Sequence, residues 1–218
     1  MLVVHCDSPK LKADGLHLGS EVAIMQVAAK LLSEWKAKVE VIDGGDRGSL
    51  LARLAGLAGR KFDVVLLIGH SNEAGLKLAS DPDEVGFVRW GVVPEYLHMF
   101  EPRRLVLAAC QAGRWTAAQS LFAGVPSLQQ IFACPVNASK NLATALISLA
   151  LFGLDAKVPP QLVTVFHGIG AMLGGQVRYW AREDMADPRG QILDHVADII
   201  QPVVKVISTE IADLLRNK

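Results

Sequence analysis

Two apolar runs in this chain each end abruptly in a residue able to do chemistry. Asp63-Val-Val-Leu-Leu-Ile-Gly-His70 ends in a histidine, and Arg103-Arg-Leu-Val-Leu-Ala-Ala-Cys110 ends in a cysteine. Both runs have strand length and little alternation, the pattern of a parallel-sheet strand buried on both faces. In an open parallel sheet, ligands bind beyond the carboxyl ends of the strands. If the two strands are neighbours, about 4.8 Å apart, their last side chains converge on one reacting atom. A thiolate nucleophile with an imidazole acid/base requires that arrangement. Gln111-Ala-Gly113 reads as a sharp exit loop after the cysteine. Taken singly, each residue has a plainer reading: a small buried hydrophobe for Cys110 and a hydrogen-bonded strand end for His70.

The elements that position these residues follow from hydrophobic period. The expected strands are Leu2–Cys6, Val39–Ile42, Phe62–Gly69, Arg104–Ala109, Leu128–Ala133 and, last, Leu162–Phe166. Helical spacing marks Val22 to Trp35, Leu50 to Leu57 with a stop near Gly59, and Trp115–Phe122 with an end near Gly124. Pro94 suits the start of a short helix through Phe100, and Asn137 the cap of a helix ending near Gly153. The C-terminal part reads as helix over Ala171–Glu183 and Gly190–Arg216, kinked at Pro202. Strands alternating with helices predict βαβ units, hence an α/β protein with a mainly parallel sheet.

The chain has 218 residues and is 51% hydrophobic, enough for a sizeable core and too apolar for wholesale disorder. Lys+Arg and Asp+Glu are 22 each, so net charge is zero, and aromatics make up 6%. Neither a phosphate-binding surface nor a base-stacking one is expected, so nucleic acid is not an expected partner. Cys6, Cys110 and Cys134 are too few for a disulfide scaffold and suit a reducing, cytoplasmic setting. The opening residues lack the basic, long apolar pattern of a signal peptide. Asn141–Leu154 is shorter than the ~20 residues of a membrane span, and residues 158–177 are interrupted by prolines, glycines and polar residues. No membrane partner is expected.

Residues 115–177 carry only three charges, Lys140, Asp155 and Lys157. Such a segment is either core or a contact with another chain, so a regulatory partner or a second copy is expected to bind there.

The stretch from Leu66 to His70, some forty residues, and then Leu105-Val-Leu-Ala-Ala-Cys110-Gln-Ala-Gly113 resembles the caspase-like cysteine peptidases of clan CD. Within them it is most similar to CHAT-type domains, in which a strand ends in His and a later one in Ala-Cys-x-Thr-Gly; Ala112 stands here in place of Thr. Leu121–Leu128 resembles the stretch leading into the family's next strand, and the likeness covers roughly residues 1–154.

The resemblance implies a three-layer caspase-like fold, a mostly parallel sheet of central order 2-1-3-4 with helices on both faces. It implies one domain, 1–218, with 155–218 as its mainly helical C-terminal extension. It also implies a cysteine endopeptidase acting on peptide or protein substrates without a cofactor. Cys110 would be the nucleophile and His70 the acid for the leaving amine. The backbone N–H groups of Ser71 and Cys110 would hold the oxyanion. Asp7, after the first strand, corresponds to a region that lines the substrate side-chain pocket in basic-specific relatives, implying cleavage after Arg or Lys. Its plainer role is to turn the loop Asp7–Lys10, and Glu73 and Asp14 are weaker acidic candidates.

One departure is Ser71, where the family usually has Gly. It keeps the N–H and adds a side chain beside the oxyanion position. A catalytically silent domain that serves as an interaction module is therefore a second expectation. A third is a glutamine-amidotransferase-like hydrolase, with Cys110 partnered by the later His167. The order His70 before Cys110 favours the first.

The remaining clusters carry less. His5 and Cys6 point to opposite faces of a strand, so with His17 they make a poor metal site, and no metal is expected. Asp43–Ser49 is neither a dinucleotide fingerprint nor a P-loop. His167–Gly175 is a Gly-rich turn or a tightly packed helix start. Asp194 and His195 are expected to be a solvated pair.

Overall fold

The computed structural model describes residues 1–6, 40–43, 47–77, 87–135 and 178–187, together with helical residues 189–192, 194–196, 198–199 and 202. The sequence-predicted helices at 22–35 and 137–153, the strand at 162–166, and Asp7, Asp14, His17 and His167 lie outside these residues.

A six-stranded sheet forms the centre. Its strands are β1 (Leu2–His5), β2 (Glu40–Asp43), β3 (Val64–Ile68), β6 (Arg104–Ala108), β7 (Gln130–Ala133) and β8 (Arg178–Ala181), in the order β2-β1-β3-β6-β7-β8. All pairings are parallel except β7 with β8. The first four strands stand in the 2-1-3-4 order expected from the sequence. β3 is buried at every position from Val64 to Ile68, as its unbroken apolar run requires.

Three described helices attend the sheet. α1 (Arg47–Gly56) turns Leu50 and Leu54 inward, one helical turn apart, and the chain leaves it through Gly59 at φ 83°. α2 (Val93–Leu97) has Pro94 in its first turn and runs into a 3-10 turn, His98–Phe100. α3 (Trp115–Gly124) buries Trp115, Ala117, Ala118, Leu121 and Phe122. α2 and α3 pack so closely that a Cβ on Gly124 would lie 2.4 Å from the Pro94 side chain. In the described part of the charge-poor segment, 115–135, most apolar side chains face the core, with Val125, Leu128 and Ile131 also fully buried, while Thr116, Gln119, Ala123 and Gln129 are exposed. The mixed α/β architecture with a mostly parallel sheet is the one the sequence predicts.

Two features depart from the sequence reading. Residues 178–181, read as helix, are strand β8, paired antiparallel with β7, and the following Arg182–Ala186 is a 3-10 turn. Strand pairing and burial of Trp180 and Ala181 override the local helical pattern there. A small hairpin, β4 (Gly75–Lys77) with β5 (Phe87–Arg89), also went unforeseen. Its strands are too short to show a period. Gly75 is required in it, because a Cβ there would lie 2.2 Å from the Val88 carbonyl oxygen.

The described C-terminal helical residues leave Ile192, Val196 and Ile199 exposed. Among the described residues, no helix is long and apolar enough to cross a membrane.

Candidate active site

His70 and Cys110 leave adjacent strands at the same level. The parallel register pairs Ile68 with Ala108, and Gly69 N–H still donates to the Ala108 carbonyl at 3.3 Å. Continuing that register sets His70 opposite Cys110, two residues beyond the last paired positions, at the carboxyl edge of the sheet. Both residues are partly buried. His70 Nε2 is buried and has no hydrogen-bond partner among the described residues. Burying an imidazole nitrogen without a partner costs free energy, and such orphaned groups gather where chemistry is done.

The loop after His70 is held firmly. The His70 carbonyl accepts from Lys77 N–H at 2.8 Å, and Ser71 forms an antiparallel bridge with Leu76. Asn72 Oδ1 accepts from the N–H groups of Ala74 (2.9 Å) and Gly75 (3.0 Å), and the Asn72 carbonyl accepts from Trp90 Nε1 at 3.0 Å. The Ser71 hydroxyl donates to the Cys110 carbonyl, a direct tie between the two loops.

The loop after Cys110 is the sharp exit that Gln111-Ala-Gly suggests. Gln111 takes φ 56°, in the left-handed region. Gly113 N–H donates to the Cys134 carbonyl at 2.7 Å, and a Cβ there would lie 2.9 Å from the Cys134 backbone. Trp180 Nε1 donates to the Gly113 carbonyl at 2.8 Å in a buried contact. Strand β8 therefore braces the cysteine loop from behind, although the sequence reading had no strand there.

None of the three cysteines is in a disulfide. Cys6 and Cys134 are buried, whereas Cys110 is partly exposed. Burial pushes the Cys134 thiol well above its ordinary value, and the nearby Cys110 thiol adds to the shift. Cys134 is thus a protonated core residue beside the candidate nucleophile.

A set of charged residues missed by the sequence reading surrounds this loop. Arg114 sends its guanidinium to Asp198 and lies 3.8 Å from Glu73, on the loop after His70. Asp194 is not in a solvated pair with His195. It accepts from Trp115 N–H at 2.7 Å and is paired with Arg178. Burial lowers the Arg178 pKa, and Asp194 counters it by favouring the charged form. Arg178 also lies 5.4 Å from the Trp180 ring centroid, and Trp180 meets Trp115 edge-on at 5.5 Å. The α3 N-cap residue Arg114 makes no side-chain cap, so Asp194, 79 residues beyond Trp115, occupies that role by accepting the Trp115 N–H. No local spacing announces such a contact.

A central sheet of this order, mostly parallel and carrying helices, fits a caspase-like α/β fold. Comparison with solved structures agrees. The chain is similar to an inactive zymogen C11 protease from Parabacteroides distasonis (TM-score 0.55, 9% identity, 85% of this chain and 62% of that one). It is also similar to a secreted C11 cysteine protease from Bacteroides thetaiotaomicron, solved with an irreversible peptide inhibitor (TM-score 0.55, 9% identity, 84% and 67%). The chain spans less than two thirds of the length of the first. No protein-family model matches the chain, and no curated protein matches it.

Proposed function

We propose that this chain is a caspase-like cysteine endopeptidase with Cys110 as nucleophile and His70 as its acid/base partner. The observation that carries the reading is the shared level of these two residues at the ends of adjacent parallel strands β3 and β6. The buried Nε2 of His70, unpartnered among the described residues, supports it, as does the fold shared with two C11 proteases. The CHAT-type affiliation rests on the sequence motifs, His70 before Ala109–Gly113 and the Leu121–Leu128 stretch.

In this reading the Cys110 thiolate adds to the scissile carbonyl carbon. The tetrahedral oxyanion is held by the N–H groups of Ser71 and Cys110. The His70 imidazolium gives its proton to the leaving amine as the C–N bond breaks, leaving a thioester. His70 then takes a proton from water as that water attacks and the C–S bond breaks, which releases the acid and restores the Cys110 thiolate and the His70 imidazolium. Asp7, directly after Cys6 at the end of β1, makes the site prefer Arg or Lys before the cleaved bond. A regulatory partner or second copy would bind through the charge-poor segment 115–177, whose described part exposes Thr116, Gln119, Ala123 and Gln129. Three cysteines carried as thiols suit the cytoplasmic setting we propose.

Ser71 favours a second reading, a silent domain that binds without cutting. A panel of basic, acidic and apolar peptides, tested with wild type, Cys110→Ala, His70→Ala, His167→Ala and Asp7→Asn, separates the possibilities. The proposal expects cleavage after basic residues, lost in the first two variants, kept in the third and selectively weakened in Asp7→Asn. Loss with His167→Ala and retention with His70→Ala would point to amidotransferase-like chemistry. No cleavage of any peptide by wild type would favour the silent domain.

A further inference from the structure

We propose that Arg114 is a positioning residue for the His70–Cys110 pair, held in place by Asp198 of the C-terminal stretch. This rests on the peptidase reading above and adds what keeps the two loops aligned.

Arg114 is four residues past Cys110 and immediately precedes α3. Its side chain is only 16% exposed, and its Nε is buried with no hydrogen-bond partner among the described residues. The outer nitrogens do the linking. One lies 3.8 Å from a carboxylate oxygen of Glu73, three residues past His70. That same nitrogen donates to Asp198 Oδ2 at 3.3 Å while the other donates to Oδ1, a two-pronged grip. One guanidinium thus joins the histidine loop, the cysteine loop and the C-terminal stretch.

The neighbouring contacts dock that stretch where Asp198 can reach. Asp194 receives Trp115 N–H and Arg178, and Gly190 lies so close to Trp115 that a Cβ would sit 2.0 Å from its ring. Glu73 is 74% exposed and Asp198 46%, so solvent and salt reach both acids. Ion pairs whose acids are this open to solvent contribute little to global stability. They can still hold a loop in register, and small misplacements at a reacting centre cost much rate. Arg114 is therefore expected to matter to turnover more than to folding.

The test uses the full chain with Arg114→Gln, Arg114→Lys, Asp198→Asn and the double variant Arg114→Gln/Asp198→Asn. Glu40→Gln is the control, because its ion pair with Arg60 lies at the opposite end of the sheet. Peptide cleavage and the pH profile of Cys110 alkylation by iodoacetamide are the readouts. Asp198→Asn should lower kcat about tenfold, with KM within about twofold and melting temperature nearly unchanged. The double variant should lose no more than Arg114→Gln alone. Raising salt from about 0.05 to 0.5 M should slow wild type more than Asp198→Asn, which retains only the longer Arg114–Glu73 pair. Arg114→Lys, which keeps the charge without the fork, should fall between wild type and Arg114→Gln.

The alkylation midpoint should rise in Asp198→Asn, as it does in His70→Ala if the pair exists. Wild-type kcat in Asp198→Asn, strictly additive losses, or a midpoint moved by His70→Ala but not by Asp198→Asn would overturn the positioning role. A midpoint unmoved by His70→Ala would instead refute the pair itself.

Discussion

At Cys110, activity and folding should separate sharply. Cys110→Ala removes a thiol at a partly exposed strand end, which costs about 1 kcal/mol of stability. It should abolish cleavage. His70→Ala should lose nearly as much, because residues that act as a unit fail together. Cys6→Ala should leave turnover unchanged, as Cys6 is a core residue. Cys134 gives a prediction in pH. Its folded thiol is held above the ordinary value of 9.0 by burial, so between that value and its folded pKa only the unfolded chain has lost the proton. The contribution is intact below pH 9.0 and is lost above it, with stability falling by up to about 1.4 kcal/mol per pH unit. Urea unfolding at several alkaline pH values should show a flatter dependence for Cys134→Ala. The same slope in both proteins would contradict the assignment.

At the scale of elements, the strands that carry the candidate site were legible because Val64–Ile68 and Leu105–Ala108 are unbroken apolar runs ending in chemically distinctive residues. The helices α1 and α3 were legible from their period and from the glycines that end them. Strand β8 was not. Arg178-Tyr-Trp-Ala181 is short, and its strand character comes from pairing with β7, which is distant in sequence. The Arg114–Asp198 and Asp194–Trp115 contacts were hidden for the same reason, since each joins residues about eighty positions apart. β8 supplies the next prediction. Trp180→Phe keeps an aromatic side chain but removes the donor to the buried Gly113 carbonyl, at a cost of about 1–3 kcal/mol, and the smaller ring adds the cost of a cavity. Denaturant unfolding should show that loss, and kcat should fall as the cysteine loop loosens. Gly113→Ala should be worse, because its Cβ would lie within 2.9 Å of the Cys134 and Pro135 backbone. An unchanged Gly113→Ala melting temperature would contradict the packing described.

At the scale of the whole molecule, the sheet gathers its chemically distinctive residues along one edge. Cys6, His70, Cys110 and Cys134 each follow the carboxyl end of a different parallel strand, and only Cys110 is a partly exposed thiol. Charge zero and the mostly parallel sheet were both legible in the sequence. The central claim is that Cys110 is a nucleophile activated by His70. The most direct measurement is intact-mass analysis after incubation with a peptidyl acyloxymethyl ketone, with the adduct mapped by peptide mass spectrometry. The account predicts one adduct per chain, on Cys110, formed far more slowly in His70→Ala and absent in Cys110→Ala. No adduct on wild type, or an adduct on Cys110 that forms equally fast in His70→Ala, would contradict it.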